Sequence, residues 1–302
     1  VYHCLNTTDR KYNRYRSNFD QSYLPNEECA FNDYVRFVGD KIGVVAACDQ
    51  ETAERAARLV EVEYEELPFS IGFDDTLAGK NCLEGETPVR DEYTLEVGKK
   101  QESTEGLIEV CSTMELPRLH HATMETHACI ADYDPYSDML TVYCPNQAVH
   151  GIRTVLADFL EMPESHVRVV KATMGGSFGA KQEWFLEPVT ALVAKKLCRP
   201  VKLVYSRGEA MTDTIVRGAM RMSARGYYTP DGEMKEIYCD VTLDAGAYIG
   251  NAGDYVRALA GKPTRCYRIP YMHYHGQVIS SNSPVSGAFR SWSAAEEALM
   301  ME

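Results

Sequence analysis

The chain has 302 residues, 45% hydrophobic and 25% charged, the balance of a folded globular protein of about two domains at ~150 residues each. A formal net charge of −13 disfavours nucleic acid and anionic membrane surfaces as partners, and no apolar run approaches the ~18 residues of a membrane span. The ten cysteines stand as singles with no Cys-x-x-Cys pair, which argues against an iron–sulfur cluster or structural zinc in this chain and fits reduced thiols in a cytoplasmic protein.

In chain order, the start Val1-Tyr2-His3-Cys4 lacks a Met and the apolar core of a signal peptide, and reads as lying inside a longer protein. Tyr34 to Cys48 predicts two strands around the turn pair Gly39-Asp40. Asp49 caps a predicted helix from Gln50 to Leu59, and the alternating Val60, Val62 and Tyr64 predict a strand ending near Pro68. Together these give a ββαβ domain over residues 1–75. The acidic, Gly- and Pro-punctuated stretch that follows reads as a surface linker over 76–105. A second domain, 106–302, opens with a strand from Leu107. Thr126–Asp134 and Met139–Cys144 predict a hairpin over Pro135-Tyr136-Ser137-Asp138, and Asn146 caps a helix with Val149, Ile152, Val155, Leu156, Phe159 and Leu160 on one face. Val167, Val169 and Val170 form a strand that leads into a glycine turn. A helix from about Trp184 to Cys198 and a strand from Val201 to Ser206 follow. Pro230-Asp231-Gly232 joins two long strands, near 220–228 and 234–248. The fold class is α+β, with mixed sheets.

The turn Met174-Gly175-Gly176-Ser177-Phe178-Gly179-Ala180-Lys181-Gln182 is the most informative stretch. Strand, glycine turn and helix in that order point free backbone N–H groups at a polar ligand, and glycine allows close approach. Gln182 after the lysine excludes a Walker loop, and the glycine spacing excludes the dinucleotide fingerprint. A cofactor cradle and a tight turn that binds nothing both remain open. His120, His121 and His127 with Cys129 match no common zinc spacing and read chiefly as structural histidines. Glu125 beside His127 reads either as an acid–base pair or, in preference, as a buried carboxylate held by backbone donors. Arg257, in Tyr255-Val256-Arg257-Ala258-Leu259, has few acidic neighbours in sequence, so it either pairs with a distant carboxylate or faces a ligand. The loop from Ser283 to Trp292, with Phe289, Arg290 and Trp292 among small residues, is either a binding loop or a packed crossover.

In this order these pieces resemble the molybdenum hydroxylase family, the xanthine dehydrogenase and aldehyde oxidase proteins. The resemblance rests on Val35-Arg36-Phe37-Val38-Gly39-Asp40, Met124-Glu125-Thr126-His127, Gly175 to Lys181, Tyr255 to Leu259, and Ser286-Gly287-Ala288-Phe289-Arg290. It implies a hammerhead domain without its beginning, followed by the first half of a molybdopterin-binding domain. It further implies that Gly176, Ser177, Phe178, Gly179, Ala288, Phe289 and Arg290 contact the cofactor, with the Phe178 and Arg290 backbone near molybdenum and no protein side chain ligating the metal. Gln182, Arg257 and Trp292 would face the substrate. The implied reaction is hydroxylation of an N-heterocycle or an aldehyde with water-derived oxygen, with electrons passed to FAD and 2Fe-2S iron–sulfur partners in a hetero-oligomer. No catalytic residue falls within this chain, because the family's glutamate base lies in the second half. Three positions depart from the family pattern: Gln182, where purine-oxidising relatives often carry Glu; Leu119, where a Gln is common; and Arg290-Ser291-Trp292-Ser293, where the family has Arg-Gly-Phe-Gly. A non-catalytic scaffold subunit and a small-molecule binding module without molybdenum are the alternative readings.

Overall fold

The computed structural model describes residues 1–15, 23–79 and 87–302. Two compact units alternate along the chain: residues 1–68 and 120–215 form the first, and residues 69–119 and 216–302 the second.

The first unit is built on a four-stranded sheet in the order Val167–Lys171, Met139–Cys144, Ala128–Asp134, Val201–Val204. The predicted hairpin over Pro135–Asp138 is present as an antiparallel pair, and Val167–Lys171 lies parallel to Met139–Cys144. A parallel neighbour needs a crossover, and the helix Val149–Phe159 supplies it. Leu140, Val142 and Cys144 are fully buried while Tyr143 is exposed, the period-two pattern of a sheet with one covered face. Helix Val149–Phe159 and helix Glu187–Leu197 cover that face with Ile152, Leu156, Phe159, Val189 and Val193. Each such side chain contributes about 1.5–3 kcal/mol on burial. The N-terminal segment is fastened to this core. Tyr12 packs edge-on against Phe159 with ring centroids 5.4 Å apart, and the Trp184 indole N–H donates to the Asn13 carbonyl at 2.9 Å. Arg14, 1% exposed, pairs with Glu28 and lies over the Phe185 ring.

Three expectations for this unit change. The helix Gln50–Ala57 forms with Asp49 as its cap, but only Gly43–Val44 of the predicted strand pair is a strand, joined to Tyr2–His3. Val60, Val62 and Tyr64 form no strand and are exposed, because alternation does not suffice without a neighbouring ladder. Asn146 sits two residues before the cap position of its helix; its side chain accepts from Ala148 N and donates to the Glu183 carbonyl.

The second unit is a five-stranded sheet in the order Val89–Gly98, Tyr271–Ile279, Met234–Asp244, Ala219–Tyr228, Ile108–Leu116. Pairings are antiparallel except that of Met234–Asp244 with Tyr271–Ile279, whose crossover carries the helix Ala252–Ala260. The turn at Pro230-Asp231-Gly232 is as expected, with Gly232 at φ +89°. The core joins Met222, Val241, Leu243, Val256, Leu259, Met272 and Tyr274. Val89–Gly98 falls in the stretch expected to be linker, of which residues 80–86 lie outside the described residues. Tyr93, Leu95 and Val97 pack on the core, so the stretch is an edge strand whose acidic outer residues mask its alternation. The 106–302 stretch, expected to be one domain, contributes to both units.

Candidate functional site

In the first unit the strand Val167–Lys171 ends before the glycine segment, and residues 178–181 make a tight turn. Ala180 N donates to the Ser177 carbonyl at 2.8 Å and Gln182 N to the Gly179 carbonyl at 3.1 Å. Phe178 and Gly179 both have positive φ, +55° and +105°. The first is uncommon for an aromatic residue. Phe178 is 51% exposed at the apex. A Cβ on Gly176 would lie 3.0 Å from the Phe178 ring, and one on Gly175 would lie 2.9 Å from a Glu125 carboxylate oxygen.

The turn is clamped from below. Lys181, 1% exposed, forms an ion pair with Glu125, which also accepts from Gly175 N at 3.0 Å. The Ser177 hydroxyl accepts from Lys181 N and donates to the Gln147 side-chain carbonyl. Gln147 N donates to the Lys181 carbonyl, and His127 Nε2 to the Ala180 carbonyl, each closing the far side of the turn. Glu125 is therefore not the buried, backbone-held carboxylate expected from sequence. Its side chain is 42% exposed, and Lys181 is its main partner, holding its pKa below the usual carboxylate range. Burial lowers the pKa of His127, so the neutral Nε2–H form donates. His120 has the same tautomer, accepting from Ala122 N at Nδ1 and donating from Nε2 to the Ala210 carbonyl.

Every clamp acts on side chains or on the ends of the turn. The N–H groups of Gly176, Ser177, Phe178 and Gly179 have no acceptor among the described residues. Four consecutive unpaired donors at an exposed glycine turn are suited to oxygen or sulfur atoms bearing negative charge. The source of these donors differs from expectation. The next helix starts at Glu187, five residues past Gln182, and its own end is already occupied: the buried Glu187 carboxyl accepts from Phe185 N at 3.1 Å. Burial pushes that carboxyl up to about 7 against the lowering effect of those backbone donors. The donor run therefore belongs to the turn alone. Gln182 is half-buried, and its amide group makes no hydrogen bond to a described residue.

In the second unit, Arg257 has the distant carboxylate its local sequence lacks. It forms a two-pronged pair with Asp91, at 2.6 and 2.9 Å, and lies over the Tyr93 ring. Trp292 packs edge-on against Tyr255, two residues and about 200° away from Arg257 on the same helix, so Arg257 and Trp292 are not brought together within this unit. Ala288 is buried and Phe289 half-buried, while Arg290 is exposed. The sequence reading gave no role to Lys181, whose acidic partner lies 56 residues away, or to Arg217, which stacks on Phe289.

Residues 86–302 match the family described as the molybdopterin cofactor-binding domain, and residues 2–68 match the aldehyde oxidase and xanthine dehydrogenase a/b hammerhead domain. The chain belongs to the molybdenum hydroxylase family of xanthine dehydrogenase and aldehyde oxidase proteins. Among its relatives, the nicotinate dehydrogenase large molybdopterin subunit of Eubacterium barkeri is 30% identical over 281 residues, which are 92% of this chain and 66% of that protein. The xanthine dehydrogenase molybdenum-binding subunit of Escherichia coli O157:H7 is 30% identical over 277 residues, covering 89% of this chain and 36% of that protein. The solved aldehyde oxidoreductase of Desulfovibrio gigas superposes with a TM-score of 0.88 at 22% identity, covering 97% of this chain and 33% of that one. The chain thus spans about two thirds of one of these proteins and about a third of the other two.

Proposed function

We propose that this chain supplies one face of the cofactor site in a cytoplasmic molybdenum hydroxylase that acts on a purine-like N-heterocycle or an aldehyde. The observation that carries this reading is the run of four unpaired N–H groups at Gly176, Ser177, Phe178 and Gly179 on a turn fixed by the Lys181–Glu125 pair. A molybdenum–molybdopterin cofactor presents anionic oxygen and sulfur atoms, and a run of unpaired N–H donors, with the neighbouring Glu125 carboxylate held by Lys181 and Gly175 N, fits them. When bound, this cofactor supplies the redox step and the activation of the water-derived oxygen.

The protein's part is binding and orientation. Gly176, Ser177, Phe178 and Gly179 hold the metal side through their N–H groups, and Ala288, Phe289 and Arg290 line the pterin side. The free amide of Gln182 hydrogen-bonds the substrate, and Trp292 supplies an apolar wall. Arg257 reaches the substrate only by leaving Asp91. The general base and the remaining pterin contacts come from outside this chain, and electrons leave to FAD and 2Fe-2S iron–sulfur partner subunits or domains. The test is dye reduction by the assembled enzyme with a purine-type heterocycle and with an aldehyde. Turnover on one class supports the reading; turnover on neither contradicts it.

A further inference from the structure

The loop proposed to line the pterin is held in a strained conformation. Ser291 and Ser293 both adopt left-handed φ, +79° and +66°, on either side of Trp292. Non-glycine residues in this region are strained and persist only where their surroundings fix them. In the second unit those surroundings centre on Arg217. One guanidinium nitrogen donates to the Arg290 carbonyl at 2.7 Å. Another faces the carboxylate of Glu296 at 3.1 Å, and the guanidinium plane lies 4.3 Å from the centre of the Phe289 ring. Glu296 is fully buried, on the helix Ala294–Met301 that follows the loop. Backbone contacts extend the grip: Val216 N donates to the Val285 carbonyl and Gly287 N to the Val216 carbonyl. Lys262 closes the far end by donating to the Trp292 carbonyl at 2.8 Å.

We propose that Arg217, held by Glu296, is a positioning residue that fixes the backbone of residues 286–292 for cofactor binding. The proposal rests on the reading of Ala288, Phe289 and Arg290 as the pterin side. It follows from shape as well as charge. Only a planar fork serves a carboxylate, a carbonyl and an aromatic face together; an ammonium serves one or two of them. Glu296 supplies the counter-charge inside the unit, so its loss would leave Arg217 without the partner that orients it.

The test uses the assembled enzyme with Arg217→Gln, Arg217→Lys and Glu296→Gln, read by deuterium uptake over residues 284–293 and by pterin content per chain. The expected result for Arg217→Gln is exchange at least ten-fold faster in this loop and pterin content reduced at least five-fold. Exchange in Tyr271–Ile279 stays unchanged. Arg217→Lys is expected to fall between wild type and Arg217→Gln on both readouts. If Arg217→Gln fails to fold, Glu296→Gln, which keeps volume and removes the charge, is expected to show the same loop-confined change. Wild-type exchange in the loop, or wild-type pterin content with a loosened loop, overturns the proposal. A wild-type assembly without pterin overturns the functional reading instead, and loop exchange alone then decides whether Arg217 holds the loop.

Discussion

Replacing Glu125 by Ala removes one half of an ion pair whose other half, Lys181, is 1% exposed. Breaking a buried pair from one side costs about 3–5 kcal/mol, because the remaining charge has no partner. The Glu125 side chain is 42% exposed, so water reaches the rim of the pair and the expected loss falls to about 2–3 kcal/mol. Urea unfolding at pH 7, followed by Trp184 fluorescence, measures it. A Trp292→Phe background isolates the signal, since the chain has two tryptophans. The pH dependence identifies the cause. In the wild type, Lys181 depresses the pKa of Glu125, so the pair's contribution is complete above the unfolded value of ~4.3 and is lost as pH falls through the lower folded value. Glu125→Ala combined with Lys181→Met is expected to recover most of the loss. A deficit below about 1 kcal/mol, or a double variant no more stable than Glu125→Ala, refutes the buried-charge account.

Ser291→Gly and Ser293→Gly relieve left-handed strain, so each is expected to raise the unfolding free energy from urea denaturation by about 0.5–2 kcal/mol after the entropy of an added glycine; unchanged or lower stability for both would contradict the strain. Glu187 has its folded pKa raised from 4.5 to about 7, so wild-type stability is greatest below the unfolded value and falls as pH rises through the folded one. Glu187→Gln is expected to flatten that slope and to be more stable than wild type by about 3 kcal/mol near pH 8, while parallel pH profiles would show that the carboxyl is ionised throughout. In the assembled enzyme, Arg257→Met is expected to lower kcat/KM by about 10²-fold or more while Asp91→Asn does not, if Arg257 meets the transition state; equal and small effects assign Arg257 to the Asp91 pair.

The long strands were legible where alternation and turn chemistry agreed, as in Met139–Cys144 and on both sides of Pro230-Asp231-Gly232. Val89–Gly98 was obscured because Asp91, Glu92 and Glu96 gave the segment the composition of a linker although Tyr93, Leu95 and Val97 keep the inward period. Val60, Val62 and Tyr64 misled in the opposite sense, since an apolar period of two says nothing about whether a neighbouring ladder exists. The start of the helix at Glu187 was marked by Pro188 in its first turn, a signal that outweighs the apolar run from Trp184. The glycine turn was visible as a motif. Its support was not, because Glu125, His127 and Gln147 reach it from 30 to 56 residues away. The departures Ser291 and Ser293, set where the family has glycine, fall at left-handed positions, so the sequence already held the place of the strain.

We propose that the turn at residues 176–179 forms one face of a molybdenum–molybdopterin site. This is tested most directly by measuring molybdenum and pterin in this chain purified alone and after assembly with a polypeptide matching the remainder of its relatives. Fixing a ligand incurs its entropic cost in full whichever fraction of the contacts is present, so half a site binds far less than half as well. The expected result is no stable molybdenum or pterin in the lone chain and about one of each per chain in the assembly. An assembly without either, or full occupancy in the lone chain, would contradict the account.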